Sequence, residues 1–262
     1  VVNLKGLKMN VPTVTFDSNV WENIVDESKR REKEKYGKLY VLIASKSLIP
    51  FFFEGIATME SIPRKDRKDY ISNYKATTSF QVGDEEPHVI KGSESPELTD
   101  YLKKNIPKAL ELGFRFLKFH RIGAVGLNVG DQYLAKDEAY TLEERIERSF
   151  ECAKVIESLG AGKSRLHSRL NGGNHKGIVH QTDSDKSLSV KQYGKDFGEW
   201  VDGDALAAHY GYGIDFFCTN DLARGFGTSS IFSSNNLKKL KEKFKIKVVS
   251  PSELLKVLET GR

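Results

Sequence analysis

Apolar and polar positions come in blocks along the chain, and the period within each block predicts an element. The run Val14-Thr15-Phe16, between Pro12 and the polar Asp17-Ser18-Asn19, predicts a buried strand over 13–17. Residues 19–46 have helical spacing, as a helix or helix pair, with the charge-dense DESKRREKEKYGK on a solvated face. LIPFFFEG (48–55) is a continuous apolar run of strand length, and IATMESI (56–62) returns to helical spacing. A helix over 97–112 is expected to stop at Gly113, and FRFLKFH (114–120) alternates as a half-buried strand does. The cleanest helix is 141–160: Thr141 and Glu144 fit a capping box, Leu142, Ile146, Phe150, Ala153, Ile156 and Leu159 trace one face, and Gly160 ends it. Residues 171–198 are polar and read as a surface excursion. The apolar order then resumes with helix 199–213, strand 214–221, helix 233–244, strand 246–250 and helix 251–259, which Pro251 opens.

Strands alternating with helices predict an α/β fold, a mostly parallel central sheet flanked by helices. Composition narrows the classes: the 262 residues are 39% hydrophobic and 29% charged, with no apolar run long enough for a membrane span. The stretch VVNLKGLKMNVP lacks the apolar core of a signal peptide, and Cys152 and Cys218 make no disulfide framework, so a cytoplasmic setting is expected. A net charge of +5 permits a polyanionic partner without requiring one.

In open α/β sheets the ligand crevice lies outside the carboxyl ends of the strands. Two predicted strands end on acid there, at Asp17 and Asp221. Asp204, with Asp202 as its rival, lies near the predicted start of the intervening helix, ahead of Ala205, Leu206, Ala207 and Ala208. A fourth acid comes from FFFEGIATMESI, where Glu60 is favoured over Glu54 because one helical turn lets its long side chain reach back over the sheet edge. Taken singly, Asp17 is a helix cap and Asp204 a first-turn acid on a helix dipole. Converging carboxylates, however, repel and raise one another's pKa values. A hard divalent cation, Mg²⁺ or Mn²⁺, bound by oxygen alone relieves that repulsion, and a pair of such ions can activate water for attack on phosphorus.

Other stretches carry less. LGAGKSR (159–165) is no P-loop, since Glu157 stands where the first glycine is needed and a helix precedes it. The basic segment with Arg165, His167, Arg169, His175, Lys176 and His180 lacks zinc-ligand spacing. Phosphate contact by Arg165, Arg169 and Lys176 is one reading of it, and a solvated loop is the other. FRFLKFHR is read as a half-buried edge strand ahead of an RNA-stacking surface.

The ordered set Asp17 in FDSNVW, Glu60 in TMESI, Asp204 in DGDALAAHYGYG and Asp221 in FFCTND resembles the PIN-domain nucleases, metal-dependent ribonucleases that include toxins of bacterial toxin–antitoxin pairs. In that family the first strand ends in Asp before a small polar residue, here Ser18-Asn19, and a later strand ends in Thr-x-Asp, here Thr219-Asn220-Asp221. The resemblance covers roughly 13–62 and 141–258. It implies a single PIN-like domain over 1–262, with insertions at about 64–140 and 171–198 to account for the long interval between Glu60 and Asp204. It further implies a Mg²⁺- or Mn²⁺-dependent endoribonuclease. Asp17, Asp204 and Asp221 would hold metal, Glu60 would join them or orient water, and Asn19 and Thr219 would position these groups. The expected partners are an RNA substrate, an antitoxin-like inhibitor and a second copy of the chain. The alternatives are a catalytically idle RNA- or protein-binding module and a different metal-dependent phosphohydrolase.

Overall fold

The computed structural model describes residues 11–73, 96–121, 127, 129–170, 189–221 and 230–260. The first apolar run forms β1 (Thr13–Phe16), followed by α1 (Ser18–Val25), α2 (Glu27–Glu32) and α3 (Glu34–Ala44). The run of three phenylalanines forms β2 (Ile49–Phe53), and α4 (Arg67–Asn73), α5 (Asp100–Leu112) and β3 (Arg115–Leu117) follow. The second half holds α6 (Leu142–Ser158), α7 (Lys163–Leu170), α8 (Val190–Tyr212), β4 (Phe216–Cys218), α9 (Ser234–Phe244), β5 (Val248–Val249) and α10 (Pro251–Thr260). The five strands pair in the order β3-β2-β1-β4-β5, every pair parallel. The α/β fold expected from the sequence is therefore the one observed.

Successive strand side chains point to opposite faces, so a strand covered on both sides must be apolar throughout. Val14, Phe16, Phe52, Phe116 and Cys218 join Trp21, Ile24, Leu39, Ile106 and Leu254 on one face. Phe53, Leu117 and Phe217 join Cys152, Ile156, Phe197, Leu206 and Leu240 on the other. Each large side chain buried this fully contributes roughly 1.5–3 kcal/mol. The chain fills the sheet from β1 outward through β2 to β3, then crosses back along α8 to place β4 and β5 on the opposite side of β1. The direction reverses between β1 and β4, and at such a switch point the loops leaving the two strands part and open a crevice.

Helix α8 spans the molecule and packs against both α6 and α7. Close approach requires glycine at two of its positions. A Cβ on Gly203 would lie 3.0 Å from the Cα of Gly162, and one on Gly211 would lie 2.0 Å from Ser149 Oγ and 2.9 Å from the Arg145 carbonyl oxygen. Helix α6 carries the expected capping box between Thr141 and Glu144.

Three expectations change. The charge-dense stretch breaks into short helices because Asp26 ends α1 and caps α2, its side chain accepting from Ser28 N at 3.0 Å. Within the supposed insertion 64–140, α5 and β3 are integral: β3 is a sheet strand, and Leu102, Ile106 and Ala109 lie in the core under it. Helix α8 begins at Val190, capped by Ser189, and not at 199, because Lys191, Gly194, Lys195 and Gly198 conceal the apolar period of its first turns. The rest of the supposed excursion, 171–188, lies outside the described residues. No helix among the described residues is long and apolar enough to cross a membrane.

Alanine is normally better than glycine inside a helix by about 1 kcal/mol. At Gly211 the sign reverses, because the added methyl enters the α6 contact: Gly211→Ala should lower stability by about 1–3 kcal/mol in denaturant unfolding, the range for overpacked cores.

Candidate functional site

The loops after β1 and β4 meet at the switch point. Asp17 ends β1 in extended backbone (φ −65°, ψ 159°), and its Oδ1 accepts from Ser18 N at 2.7 Å, capping α1. Its second oxygen is committed elsewhere: Oδ2 accepts from Thr219 Oγ1 at 2.6 Å and from Asn19 Nδ2 at 2.8 Å. Asn19 Nδ2 also donates to Asp221 Oδ2 at 3.0 Å, so one carboxamide bridges two carboxylates. Asn220 donates its backbone N–H to Asn19 Oδ1 at 3.0 Å, which fixes the amide's orientation. Thr219 Oγ1 accepts from Asp221 N at 2.9 Å while giving its proton to Asp17. The Thr-x-Asp motif is thus a local turn whose hydroxyl ties the β4 loop to the end of β1.

Glu60 reaches the same place from the turn that follows β2, as expected. Its backbone N–H donates to the Gly55 carbonyl at 2.8 Å, and Ser18 Oγ donates to its carboxylate at 3.4 Å. Burial, reinforced by the charge of Asp17, pushes Glu60 up to about 7. Burial also raises Asp17, with Asp221 adding to the effect against the hydrogen bond from Thr219. Glu54 takes no part. It is buried beneath the sheet edge, accepts from Phe119 N at 2.8 Å, and is pushed to about 7 by burial.

The acid of α8 that faces this crevice is Asp202, not Asp204. A cavity of about 680 Å³ is lined by Asp17, Glu60, Asp202 and Asp221, with Glu199 beside them. Asp202 is raised well above the ordinary carboxylate range by burial and then by the charges of Asp17, Glu199, Glu60 and Asp221. Asp204 points to the other side of the helix, where Arg121 donates to Oδ1 at 2.6 Å and Trp200 Nε1 to Oδ2 at 2.8 Å. Two residues along a helix is a rotation of about 200°. The expectation for Asp204 assumed a helix starting just before it, whereas both acids lie well inside α8 and its phase alone decides which faces the sheet edge.

The cavity's far wall is cationic. Arg64, Lys191 and Lys195 line it with exposed side chains, and Arg67 lies deeper, donating to the backbone carbonyls of Ile62, Gly194 and Glu60. None of these four was singled out from the sequence. The spacing of Lys191, Lys195 and Asp202 is a helical signal, but it fell in a stretch without an apolar stripe. Arg165, expected to contact phosphate, is instead turned inward, donating to Asp196 at 2.8 Å and to Glu199 at 3.4 Å. Its charge offsets two buried acids of α8. The Arg169 side chain and all of Lys176 lie outside the described residues.

The donor set suits a hard cation in kind, since every candidate ligand is a carboxylate oxygen. In placement, no group of three or more Asp, Glu, His or Cys among the described residues closes on a common metal position. Asp17 and Asp221 are the pair already held together. Comparison of the chain with protein-family models, curated proteins and solved structures gives no match.

Two outcomes follow. Breaking a buried ion pair leaves the other charge uncompensated at a cost on the order of 3 kcal/mol, so Asp204→Asn should lower the unfolding midpoint through Arg121. Glu60 and Glu54 have folded pKa values above their unfolded ones, so the stability they contribute is present at acid pH and lost as pH rises through about 7. The melting temperature in EDTA should therefore fall across that range, and Glu60→Gln should flatten part of the slope.

Proposed function

We propose that the chain is a Mg²⁺- or Mn²⁺-dependent endoribonuclease that hydrolyses phosphodiester bonds in this cavity. The observation that supports the reading most is the meeting of Asp17, Glu60, Asp202 and Asp221 from four separate segments in one cavity at the switch point, opposite a cationic wall. Asp17 and Asp202 are raised by neighbouring acids, and Glu60 by Asp17 against the pull of Arg67, an arrangement that favours a positive partner. Mg²⁺ in particular binds through one or two carboxylates together with water and substrate phosphate, so a protein cage that closes by itself is not required.

A bound divalent ion would supply Lewis-acid charge at the phosphate and a more acidic water. Asp17 and Asp221, the pair already held together, would hold it directly, and Asp202 in the same cavity would hold it through bound water. Thr219 and Asn19 keep the first two carboxylates aligned, leaving Asp17 with little rotational freedom. Glu60, half-buried beside Asp17 and Ser18 at the same cavity, would accept a proton from the attacking water at its carboxylate oxygen. Arg64, Lys191 and Lys195 would neutralise substrate phosphates across the cavity. This replaces Asp204 by Asp202 in the metal set and Arg165 by the α8 lysines in the phosphate set. No described residue supports an inhibitor contact or a dimer, and neither is proposed.

The test is cleavage of end-labelled single-stranded RNA with Mg²⁺, Mn²⁺ or EDTA. Cleavage should need metal, fall at least about 100-fold in Asp17→Asn and Asp202→Asn, and survive in Asp204→Asn at a temperature where that variant is folded. Loss of cleavage in Asp204→Asn with full activity in Asp202→Asn would reverse the assignment. RNA binding without cleavage under any metal would favour an idle binding module.

A further inference from the structure

At about 680 Å³ the cavity has room for more than one phosphate, and about three turns of α8 line it. Along one side of this helix, Lys191, Gly194, Lys195, Gly198, Glu199 and Asp202 all line the cavity, at the spacing that keeps residues on one helical face. Lys191 and Lys195 are one turn apart, about 6 Å along the axis, and Asp202 lies about 10 Å beyond Lys195. The lysines are exposed, and among the described residues neither forms an ion pair, unlike Arg165 on the neighbouring helix. They also stand at the amino-terminal end of α8, where the helix dipole adds positive potential.

The glycines supply a second observation. Four glycines interrupt the interior of α8, each weakening the helix relative to alanine. Gly203 and Gly211 are required by close contact with Gly162 and α6. Gly194 and Gly198 are not, since a Cβ at either would meet nothing within 4 Å among the described residues. Those two are the ones that face the cavity. They leave bare helix backbone as a floor, Gly194 between the two lysines and Gly198 between Lys195 and the acids, in a cavity that Val190 and Phe232 also line.

Resting on the reading of the site as a nuclease centre, we infer that the amino-terminal half of α8 is a track for a single polynucleotide strand. Lys195 and Lys191 hold successive phosphates on one side of the scissile bond, and Gly194 and Gly198 keep the floor clear for sugar and base. The substrate is then a single strand several nucleotides long, and a dinucleotide or a small phosphoester fills only the acid end.

The experiment is binding, read by fluorescence polarisation in EDTA so that it does not depend on cleavage. The probes are fluorescein-labelled oligouridylates from a dinucleotide upward and a duplex of the longer sequence. Affinity should rise with length until the track is filled, and the duplex should bind more weakly than the single strand. Lys191→Ala with Lys195→Ala should weaken the long oligomer at least about tenfold and reduce the slope of log K against log salt by about 1.4, the value for two phosphate contacts on a single strand. Lys256→Ala, an exposed lysine on the opposite helical layer, should do neither. Gly198→Leu is the discriminating variant: a Cβ there meets nothing within 4 Å among the described residues and the position lines the cavity, so its melting temperature should hold or rise while oligomer binding is lost. Length-independent binding, a duplex bound as tightly as the single strand, or wild-type affinity in the double-lysine and Gly198→Leu variants would overturn the track. A protein that shows length- and lysine-dependent binding but never cleaves retains the track and loses the nuclease reading. One that cleaves every length alike retains the nuclease and loses the track.

Discussion

Like charges must be held together before this crevice can exist. Asp17 and Asp221 lie in the loops that leave two adjacent strands of a parallel sheet, and their mutual repulsion in a partly buried setting works against the approach of those loops. Two neutral groups counter it. The Asn19 carboxamide donates one nitrogen to both acids, and the Thr219 hydroxyl gives its proton to Asp17 while accepting the N–H of Asp221. A lysine or arginine in that position would neutralise the acids. An amide and a hydroxyl position the carboxylates and leave their charge available.

The same economy explains why α8 is so long. Its middle must pack against α6 and α7 closely enough to need Gly203 and Gly211, and its amino-terminal half extends past that contact along the cavity. Buried acids on its inner side are neutralised inside the protein, Asp204 by Arg121 and the Asp196–Glu199 pair by Arg165. On the crevice side Glu199 shares Arg165 and Glu60 lies in the field of Arg67, whereas Asp202 is surrounded by the charges of other acids. Asp204 and Asp202, two positions apart, therefore sit in opposite electrostatic settings, one beside Arg121 and the other among acids.

Glu54 and Glu60 make the same point in the turn after β2. Both are pushed to about 7 by burial, yet Glu54 spends its charge on a backbone N–H that closes the β3 loop, whereas Glu60 lies beside Ser18 and Asp17 at the cavity. A raised pKa by itself therefore does not distinguish a functional acid from a structural one. What separates the two is place: of the pair, Glu60 lines the cavity and Glu54 does not.

The sequence by itself determined the layered α/β order, the two strands that Asp17 and Asp221 follow, the capping box of α6 and the Thr-x-Asp turn. Each of these is a local matter of apolar period or of a short polar motif next to it. The cap that Asp17 gives α1 was contained in FDSN, whereas the tie of its other oxygen to Thr219 is a tertiary contact. The tertiary structure decided which acid of α8 faces the crevice, that β3 belongs to the sheet, and that Arg165 turns inward while Lys191 and Lys195 turn toward the cavity. Those outcomes depend on where α8 begins and on its rotation against α6 and α7. Helix phase is set by packing contacts between residues far apart in the chain, and no local pattern of apolar and polar residues records it.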